Sequence, residues 1–290
     1  MKKNNLDILD SAMGTELINM GHVLPPHIWS AKINISHPDD IYQVHQKNIR
    51  AGANLITTNT FRTTPRAYLK LGLSKNKADF NAKKSMESAL KACHKAAIHN
   101  TSILGSIAPL EDCYKPYLFP GEQVAEKEFY TLGSWLQEFG ADIILLETMN
   151  SFIEIQSALR ALSKLTIPIY VSINIYKKIF LKSGDSVFDI INLLNTFNIN
   201  TLLFNCSSIK LLSSNVNKFV DKQQLKWGVY PNMGIGKPST NGVISNYETQ
   251  NKFKSLVRQC IGLNAQIVGG CCGTTHHHIK LIKNLIHEVS

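Results

Sequence analysis

The chain has 290 residues, 44% of them hydrophobic and 18% charged, and this composition predicts a folded globular protein and not a disordered one. No apolar run reaches the length of about 20 residues that spans a bilayer, and the N-terminus lacks the apolar segment of a secretory signal. We therefore expect a cytoplasmic protein without a membrane partner. The net charge of +10 comes from scattered lysines, without an aromatic-interleaved basic stripe, so no nucleic-acid partner is predicted.

Strand and helix patterns alternate along the whole chain. Short apolar runs such as 142–149 are typical of strands covered on both faces, and a longer amphipathic stretch follows each of them. The stretch 38–52 has Asp39 and Asp40 in its first turn and Gly52 at its end, as helix termini prefer. In chain order, strands are predicted over 6–12, 54–61, 102–109, 142–149, 168–175, 201–207, 225–234 and 265–273. Helices are predicted over 38–52, 75–98, 125–140, 151–165, 186–197, 208–220, 248–262 and 274–289.

Eight strand–helix units without a break in composition predict a parallel sheet covered by helices. Eight units in 290 residues favour a closed (β/α)8 TIM barrel over an open doubly wound sheet. No G-x-G-x-x-G run follows the first strand, which weakens the dinucleotide-binding alternative. The prediction is a single α/β barrel domain over 1–290, and the sequence does not indicate its oligomeric state.

In such a barrel, functional residues lie where each strand ends and its loop begins. Cys206 ends the sixth predicted strand, and Cys271 and Cys272 end the eighth, so three thiols are expected to meet at the C-terminal rim. Polar side chains are also predicted there: Asp10, Thr57–Asn59, Glu147, Ser172, Asn174, Asn205 and Tyr230–Asn232.

Three thiolates at an open rim predict a zinc site. Soft sulfur ligands select zinc over magnesium or calcium, and three protein ligands leave a fourth position for a substrate, as in catalytic zinc sites. Gly269, Gly270 and Gly273 are expected to let the chain bend, so that both adjacent cysteines reach one ion. The spacing alone also fits a simpler interpretation, in which the cysteine pair is a buried strand end before a helix.

The other cysteines are weaker candidates for chemistry. Cys93 and Cys260 fall inside predicted helices, where a thiol usually acts as a small buried hydrophobe. Cys113, on the long loop 110–123, is left without an assigned role.

Three histidines at 276–278 begin the last predicted helix, with Thr274 or Thr275 as its N-cap. Successive helical residues point about 100° apart, so the three rings cannot all face one ion. They are expected to be surface residues of the first turn.

The residues at the strand ends resemble a known family. The segments "LDSAMGTEL" (9–17), "AGANLITTNTF" (51–61), "LLET" (145–148), "NC" (205–206) and "GGCCGT" (269–274) occur in the family's order. Together they resemble the homocysteine S-methyltransferases, a group that includes the S-methylmethionine, betaine and selenocysteine methyltransferases and the homocysteine-binding module of cobalamin-dependent methionine synthase. The resemblance covers essentially the whole chain, and it too implies a (β/α)8 barrel.

The resemblance implies a role for each matching residue at the metal and the amino acid. Cys206, Cys271 and Cys272 would hold Zn²⁺, which binds the thiol of L-homocysteine. The residues implied to bind or support the substrate are Asp10 and Glu147 at the α-amino group, Thr58 and the backbone near Ser11 at the α-carboxylate, and Asn205 beside the metal. Family members often have glycine in place of Ser11, so the pose of the carboxylate is open.

The methyl donor is less clearly implied. Trp29 matches a tryptophan that relatives place near the donor's cationic group, and Tyr230 is assigned to the same site. Arg62 stands where the betaine enzymes have a tyrosine, and its charge would repel a quaternary ammonium but could pair with a donor carboxylate. S-methylmethionine or S-adenosylmethionine is therefore favoured; the alternatives are betaine or another onium donor, or a different thiol acceptor such as selenocysteine.

The expected activity is transfer of a methyl group from a sulfonium donor to homocysteine, which gives methionine. Zinc would lower the thiol pKa from about 8.5, and the resulting thiolate would attack the methyl carbon. One rival is a zinc-dependent barrel hydrolase, but the strand ends lack the H-x-H typical of such sites. The other rival is a non-catalytic, zinc-stabilised binding protein.

Overall fold

Eight parallel strands form a barrel in the computed structural model, which describes residues 6–220, 225–236, 239 and 242–289. The strands are β1 (Asp7–Ile8), β2 (Leu55–Thr57), β3 (Ser102–Ile107), β4 (Ile143–Met149), β5 (Ile169–Ile173), β6 (Thr201–Ser208), β7 (Lys226–Asn232), β8 (Gly234–Ile235), β9 (Asn246–Tyr247) and β10 (Ile267–Val268). Eight of these ten strands form the barrel, in the order β1-β10-β7-β6-β5-β4-β3-β2, and β8 and β9 form a separate antiparallel pair. A parallel bridge between Leu9 and Leu55 joins β1 to β2, which confirms the predicted (β/α)8 barrel.

Helices cover the outside of the barrel. They are α1 (Met13–Asn19), α2 (Ile33–Ser36), α3 (Pro38–Ala51), α4 (Pro65–Leu69), α5 (Lys75–Ala96), α6 (Glu122–Glu138), α7 (Phe152–Leu162), α8 (Val187–Thr196), α9 (Ile209–Asn215), α10 (Asn217–Val220), α11 (Gln250–Gly262) and α12 (His276–Val289). Local signals set their ends: α3 begins at Pro38 and stops before Gly52, whose φ is +120°, and α8 begins with a Ser186–Asp189 capping box.

Two apolar layers hold the barrel together. The inner layer draws one residue from each of seven strands or their ends: Leu9, Leu55, Leu104, Leu145, Leu203, Tyr230 and Ile267. The larger outer layer lies between the sheet and the helices. The strand β7 approaches β10 so closely that a Cβ at Gly228 would overlap the backbone of Ile267.

The first and last strands of the barrel are shorter than the sequence predicts. The predicted strands 6–12 and 265–273 are reduced to two residues each, because the chain leaves the sheet to bring Asp10 and the cysteine pair to the rim. The small antiparallel pair β8–β9 was not predicted, nor were the short helices α1, α2 and α4.

Among the described residues, no helix is both long and apolar enough to cross a bilayer. The assignment of the whole chain 1–290 to one domain stays a prediction.

Candidate metal centre and amino-acid site

Three thiols meet at the C-terminal rim of the barrel, as the sequence predicts. Cys206 lies on β6, and Cys271 and Cys272 lie between β10 and α12. The three Sγ atoms are within 4.8 Å of one another; Cys206 Sγ is 3.5 Å from Cys272 Sγ, which is 3.9 Å from Cys271 Sγ. Within the described ranges this is the one cluster of three or more potential ligands that could hold a metal ion.

The spacing of the sulfur atoms fits a tetrahedral metal. With metal–sulfur bonds of about 2.3 Å, as for zinc, tetrahedral geometry places ligand sulfurs about 3.8 Å apart. The sulfur contacts of 3.5 and 3.9 Å bracket that value. Three soft donors and no carboxylate in the cluster are the set that thiophilic ions prefer. The residues present therefore fit a metal of this class.

The backbone is bent at the first cysteine. Cys206 has a φ of +50°, in the left-handed region, at the point where the register of β6 against β7 shifts. Asn205 holds this bend from inside: its Nδ2 donates to Thr148 Oγ1 at 2.7 Å, and its Oδ1 accepts from Ser172 Oγ at 2.8 Å. Thr148 itself has a φ of +60° where β4 shifts register. The side chain of Asn205 thus connects two irregular strand ends.

Close packing, more than unusual φ, explains the glycines around the cysteine pair. Only Gly273 of the three has a positive φ, of +81°. A Cβ at Gly269 would lie 2.7 Å from Leu9 Cβ, and one at Gly270 would overlap Thr274. The hydroxyl of Thr274 donates to Cys271 O at 2.7 Å, so the loop is fixed from within.

The segment after β1 holds the loop 269–275, here called the cysteine loop, from the other side. Thr274 Oγ1 accepts from Ala12 N at 3.3 Å, and Thr15 Oγ1 accepts from Gly273 N at 2.9 Å. The buried Glu16 accepts from the backbone N–H of His276 at 2.7 Å. Both ends of the barrel sequence therefore contribute to one loop.

Hydrogen bonding among the thiols separates their acidities. The thiols of Cys271 and Cys272 point to Cys206 and lower its pKa, while the same contacts raise the pKa of Cys271 and Cys272.

Two buried carboxyl groups lie near each other, and one of them, Glu147, is also near Cys206. Asp10 Oδ2 accepts from Thr57 N at 2.8 Å, and Glu147 Oε2 accepts from Ser106 Oγ at 2.5 Å. Burial raises the pKa of Asp10 to about 8 and that of Glu147 to about 7. The negative charge of Glu147 also contributes to the raised pKa of Asp10. A bound cation would relieve both effects, and this is the chemistry of an ammonium site.

The residues predicted to bind the α-carboxylate differ in which of their hydrogen-bonding groups lack a partner within the described residues. The backbone N–H of Ser11 donates to Asn48 Oδ1 at 3.0 Å, while its buried hydroxyl has no partner among the described residues. Thr58 Oγ1 lies 2.6 Å from Thr60 Oγ1 and accepts from Ser106 N at 3.0 Å. The Ser11 hydroxyl, and not its N–H, is the available donor here.

The three residues predicted for the donor lie in different surroundings. The buried hydroxyl of Tyr230 lies near Glu147 and Ser172 without a hydrogen bond of normal geometry. The Trp29 indole packs closely against the backbone at Gly14 and Gly242 and borders an apolar cluster that includes Leu17 and Leu24. These close contacts are typical of a packed indole and not of an open cage around a ligand.

Arg62 lines a cavity of about 410 Å³. Phe61, Pro109, Leu110 and Leu118 form part of its apolar wall. Arg62 Nη1 donates to Glu111 O at 3.3 Å, and within the described part of the chain the guanidinium forms no ion pair with a carboxylate.

Cys113 is influenced both by Arg62, which lines this cavity, and by Cys206 of the three-cysteine cluster. Burial raises the pKa of its thiol to about 12; the Arg62 guanidinium opposes that rise, and Cys206 adds to it. Both neighbours are therefore close to Cys113, which itself stays outside the three-cysteine cluster. Cys93 and Cys260 are buried in α5 and α11.

One residue at the site, Tyr114, was missed in the sequence, whereas Asn232 was among the polar residues predicted at the rim. Tyr114 Oη lies 3.7 Å from Cys206 Sγ, and Asn232 Nδ2 lies 3.8 Å from the same sulfur. Tyr114 belongs to the long third loop, where no periodic pattern indicates which side chains turn inward. His276, by contrast, contacts Glu16 at 2.8 Å through Nδ1, and none of the histidines at 276–278 joins the cluster.

Comparisons with known proteins agree with this geometry. The family model of homocysteine S-methyltransferase matches residues 7–286. Homocysteine S-methyltransferase 3 of Zea mays is 27% identical, over 97% of this chain and 90% of its own; the homocysteine S-methyltransferase of Escherichia coli (strain K12) is 26% identical, over 98% and 96%. The solved structure of the metallated homocysteine methyltransferase MmuM from Escherichia coli superposes with a TM-score of 0.83 at 24% identity, covering 97% of this chain and 96% of that one. The chain belongs to the homocysteine S-methyltransferase family.

Proposed function

We propose that this protein is a zinc-dependent homocysteine S-methyltransferase that moves a methyl group from a sulfonium donor to the thiol of L-homocysteine and so forms methionine. The observation that carries the proposal is the meeting of three thiols within 4.8 Å beside two buried carboxyl groups. A hydrolase would need an ion that activates water, which a site so rich in thiolate does poorly. Family membership over residues 7–286 supports the same activity.

Cys206, Cys271 and Cys272 would hold the zinc ion. Zinc bound by three thiolates supplies a Lewis-acid position at which an added thiol is kept as the nucleophilic thiolate at neutral pH. The all-sulfur donor set supports zinc over magnesium or calcium. Asn205 and the Thr274 hydroxyl would keep the ligands in place through their hydrogen bonds to the strand end and to Cys271.

The amino-acid end of homocysteine fits the polar groups around the thiols. We assign the α-ammonium to Asp10 and Glu147, whose buried carboxyl groups would ionise against it. The α-carboxylate is assigned to the Ser11 hydroxyl and the region of Thr58. Holding both charged groups fixes the direction of the thiol, and this orientation is most of what the transfer step requires.

For the donor we favour a carboxylated sulfonium such as S-methylmethionine. The Arg62 guanidinium, without a carboxylate partner among the described residues, would pair with the donor carboxylate in the neighbouring cavity. Trp29 and Tyr230 are assigned to the side of the donor that carries the methyl group. The same cavity leaves S-adenosylmethionine as the next candidate. Betaine is disfavoured because its quaternary ammonium is only one carbon from the carboxylate that would pair with Arg62, which brings its positive charge closer to the guanidinium than that of S-methylmethionine.

The chain's own residues do not need to include a general base. The sulfonium carries its leaving group already activated, so the residues bind and orient two partners and exclude water. The proton of the homocysteine thiol is released to solvent when the thiol binds, before the methyl group moves. Attack then occurs along the line of the breaking carbon–sulfur bond, and neutral thioethers remain.

Metal analysis combined with a transfer assay tests the proposal. We expect the Cys271→Ala variant to lose both zinc and methyl transfer, while Cys260→Ala, a change in α11 away from the cluster, keeps both. The donors to compare on the wild-type protein are S-methylmethionine, S-adenosylmethionine, betaine and dimethylsulfoniopropionate, with homocysteine and selenocysteine as acceptors. Full transfer by a metal-free Cys271→Ala variant would exclude the mechanism.

A further inference from the structure

A buried histidine lies behind the proposed ammonium site. His45 is on α3, fully buried, and its Nδ1 is 4.0 Å from Asp10 Oδ2. On the other side of the ring, Nε2 is 3.2 Å from the thiol of Cys93 on α5. Nδ1 has no hydrogen-bond partner among the described residues. The three side chains form a line from α5 through α3 to the end of β1.

We propose that His45 is a positioning residue for the amino-acid substrate: its Nδ1–H, set in that tautomer by the Cys93 thiol, orients the Asp10 carboxylate toward the substrate ammonium. This inference rests on the proposed function, since it concerns the group that would bind the amine of homocysteine. His45 does not touch the substrate in this assignment, and it acts only through Asp10.

The partner at Nε2 determines the tautomer. Burial raises the pKa of Cys93 well above its ordinary value, so the group facing His45 is a neutral S–H. A neutral thiol is a weak donor and its sulfur a weak acceptor, whereas the unprotonated nitrogen of an imidazole accepts well. The thiol therefore donates to Nε2, and the ring proton stays on Nδ1. Burial also lowers the pKa of His45 to about 4, which keeps the ring neutral at physiological pH.

The distance to Asp10 fits a contact that forms when the site is used. At 4.0 Å, Nδ1 and Oδ2 are too far apart for a hydrogen bond, and a buried unpaired N–H is unfavourable. Besides burial, which raises the pKa of Asp10, the Thr57 backbone N–H and hydroxyl lower that pKa and Glu147 raises it, while Asp10 in turn raises the pKa of Cys93 on α5. When a substrate ammonium lowers the pKa of Asp10 and the carboxyl proton is released to solvent, the carboxylate gains a negative charge that the His45 N–H can stabilise after a movement of about 1 Å.

The same helix face supports the neighbouring residue. Asn48 follows His45 by almost one turn, and its Oδ1 accepts from the Ser11 N–H at 3.0 Å. Its Nδ2 donates to Val44 O within α3, which fixes the amide. The buried polar face of α3 therefore sets the positions of Asp10 and Ser11 together.

Nuclear magnetic resonance can test the tautomer directly. In the zinc-loaded protein labelled with ¹⁵N-histidine, long-range ¹H–¹⁵N correlations assigned by comparison with His45→Asn should show a neutral ring protonated at Nδ1. Cys93→Ala removes the thiol donor and should allow the Nε2–H form to appear. A wild-type ring protonated at Nε2 would contradict the inference, whatever the variants do.

Binding of a matched pair of thiols tests the consequence. Homocysteine and mercaptobutanoate share the thiol and the carboxylate, but only homocysteine has the amino group. By calorimetry on zinc-loaded protein, His45→Leu should weaken homocysteine about ten- to hundredfold, the worth of a hydrogen bond to a charged group, and leave mercaptobutanoate unchanged. His45→Asn keeps an N–H near the position of Nδ1 and should restore most of the affinity.

The outcomes separate this inference from the proposed function. If His45→Leu weakens both thiols equally, or neither, His45 has only a structural role and the inference is wrong while the proposed function stands. If the wild-type protein binds neither thiol, the proposed function fails and the inference falls with it. Because the tautomer is measured on the wild-type protein, the inference can still be refuted if His45→Leu does not fold.

Discussion

Replacement of Gly270 by alanine should damage the metal centre without touching a ligand. A Cβ at this position would lie 2.7 Å from Thr274 Cβ and 2.8 Å from its Cγ2, against about 3.5–4.0 Å for normal carbon contacts, and it would also overlap Oγ1. Thr274 is fully buried, and its hydroxyl bonds both Ala12 N and Cys271 O. It cannot rotate away without loss of these hydrogen bonds.

Two effects contribute to the expected loss in the free energy of unfolding. Overpacking in a fixed interior costs about 1–3 kcal/mol, and a broken hydrogen bond about 1 kcal/mol, so the free energy of unfolding should fall by about 2–4 kcal/mol. Because Cys271 is displaced with Thr274, zinc affinity should fall about ten- to hundredfold, as when a supporting hydrogen bond is removed.

Urea unfolding and zinc competition against a chromophoric chelator measure the two quantities. Gly262→Ala is the matched control, since a Cβ there meets nothing within 4 Å, and it should be neutral or slightly stabilising. Wild-type stability together with wild-type zinc affinity in Gly270→Ala would refute the packing argument.

Other consequences are open to simple measurements. Glu147→Gln should raise the KM for homocysteine about tenfold or more, because one of two proposed ammonium partners loses its charge, and should leave mercaptobutanoate binding unchanged; equal effects on both thiols would contradict the assignment. In the substrate-free protein, Asp10 and Glu147 have pKa values raised from 3.8 and 4.5 to about 8 and about 7, so the stability they contribute is complete at low pH and is lost as the pH rises through this range. Urea midpoints at several pH values should show this decline in stability, and homocysteine should reverse it. Comparison with Asp10→Asn and Glu147→Gln isolates the contribution of these two groups to the free energy of unfolding. A contribution that rises with pH would show the sign to be wrong. Removal of zinc by a chelator should lower the Tm, and re-addition of zinc should restore it, because the metal binds the folded protein; an unchanged Tm would argue against a resident metal.

Much of the architecture follows from local sequence patterns. The alternation of apolar runs and amphipathic stretches predicts the barrel because each pattern indicates which faces of a strand or helix are buried. The position of Cys206 at a strand end follows from the end of an apolar run. The cysteine pair was located in the same way.

Contacts between distant segments could not be predicted in this manner. Tyr114 reaches Cys206 from a loop without periodicity, and the neighbours of the His45 ring lie just after β1 and on α5. Helical periodicity shows that a residue faces inward, but it does not show which side chain of another element it meets. The shortened β1 likewise depends on tertiary packing against the glycines of the cysteine loop.

The left-handed backbone at Cys206 connects metal supply to the assembly of the protein. A non-glycine residue in this conformation costs about 1–2 kcal/mol, and Thr148, tied to it through Asn205, has the same kind of cost. An ion held by Cys206 would offset that cost only after β6 and the cysteine loop have met. Because the three thiols come from β6 and from the loop after β10, an ion can bind all of them only after these distant segments have met, so full metal loading follows the closure of the barrel.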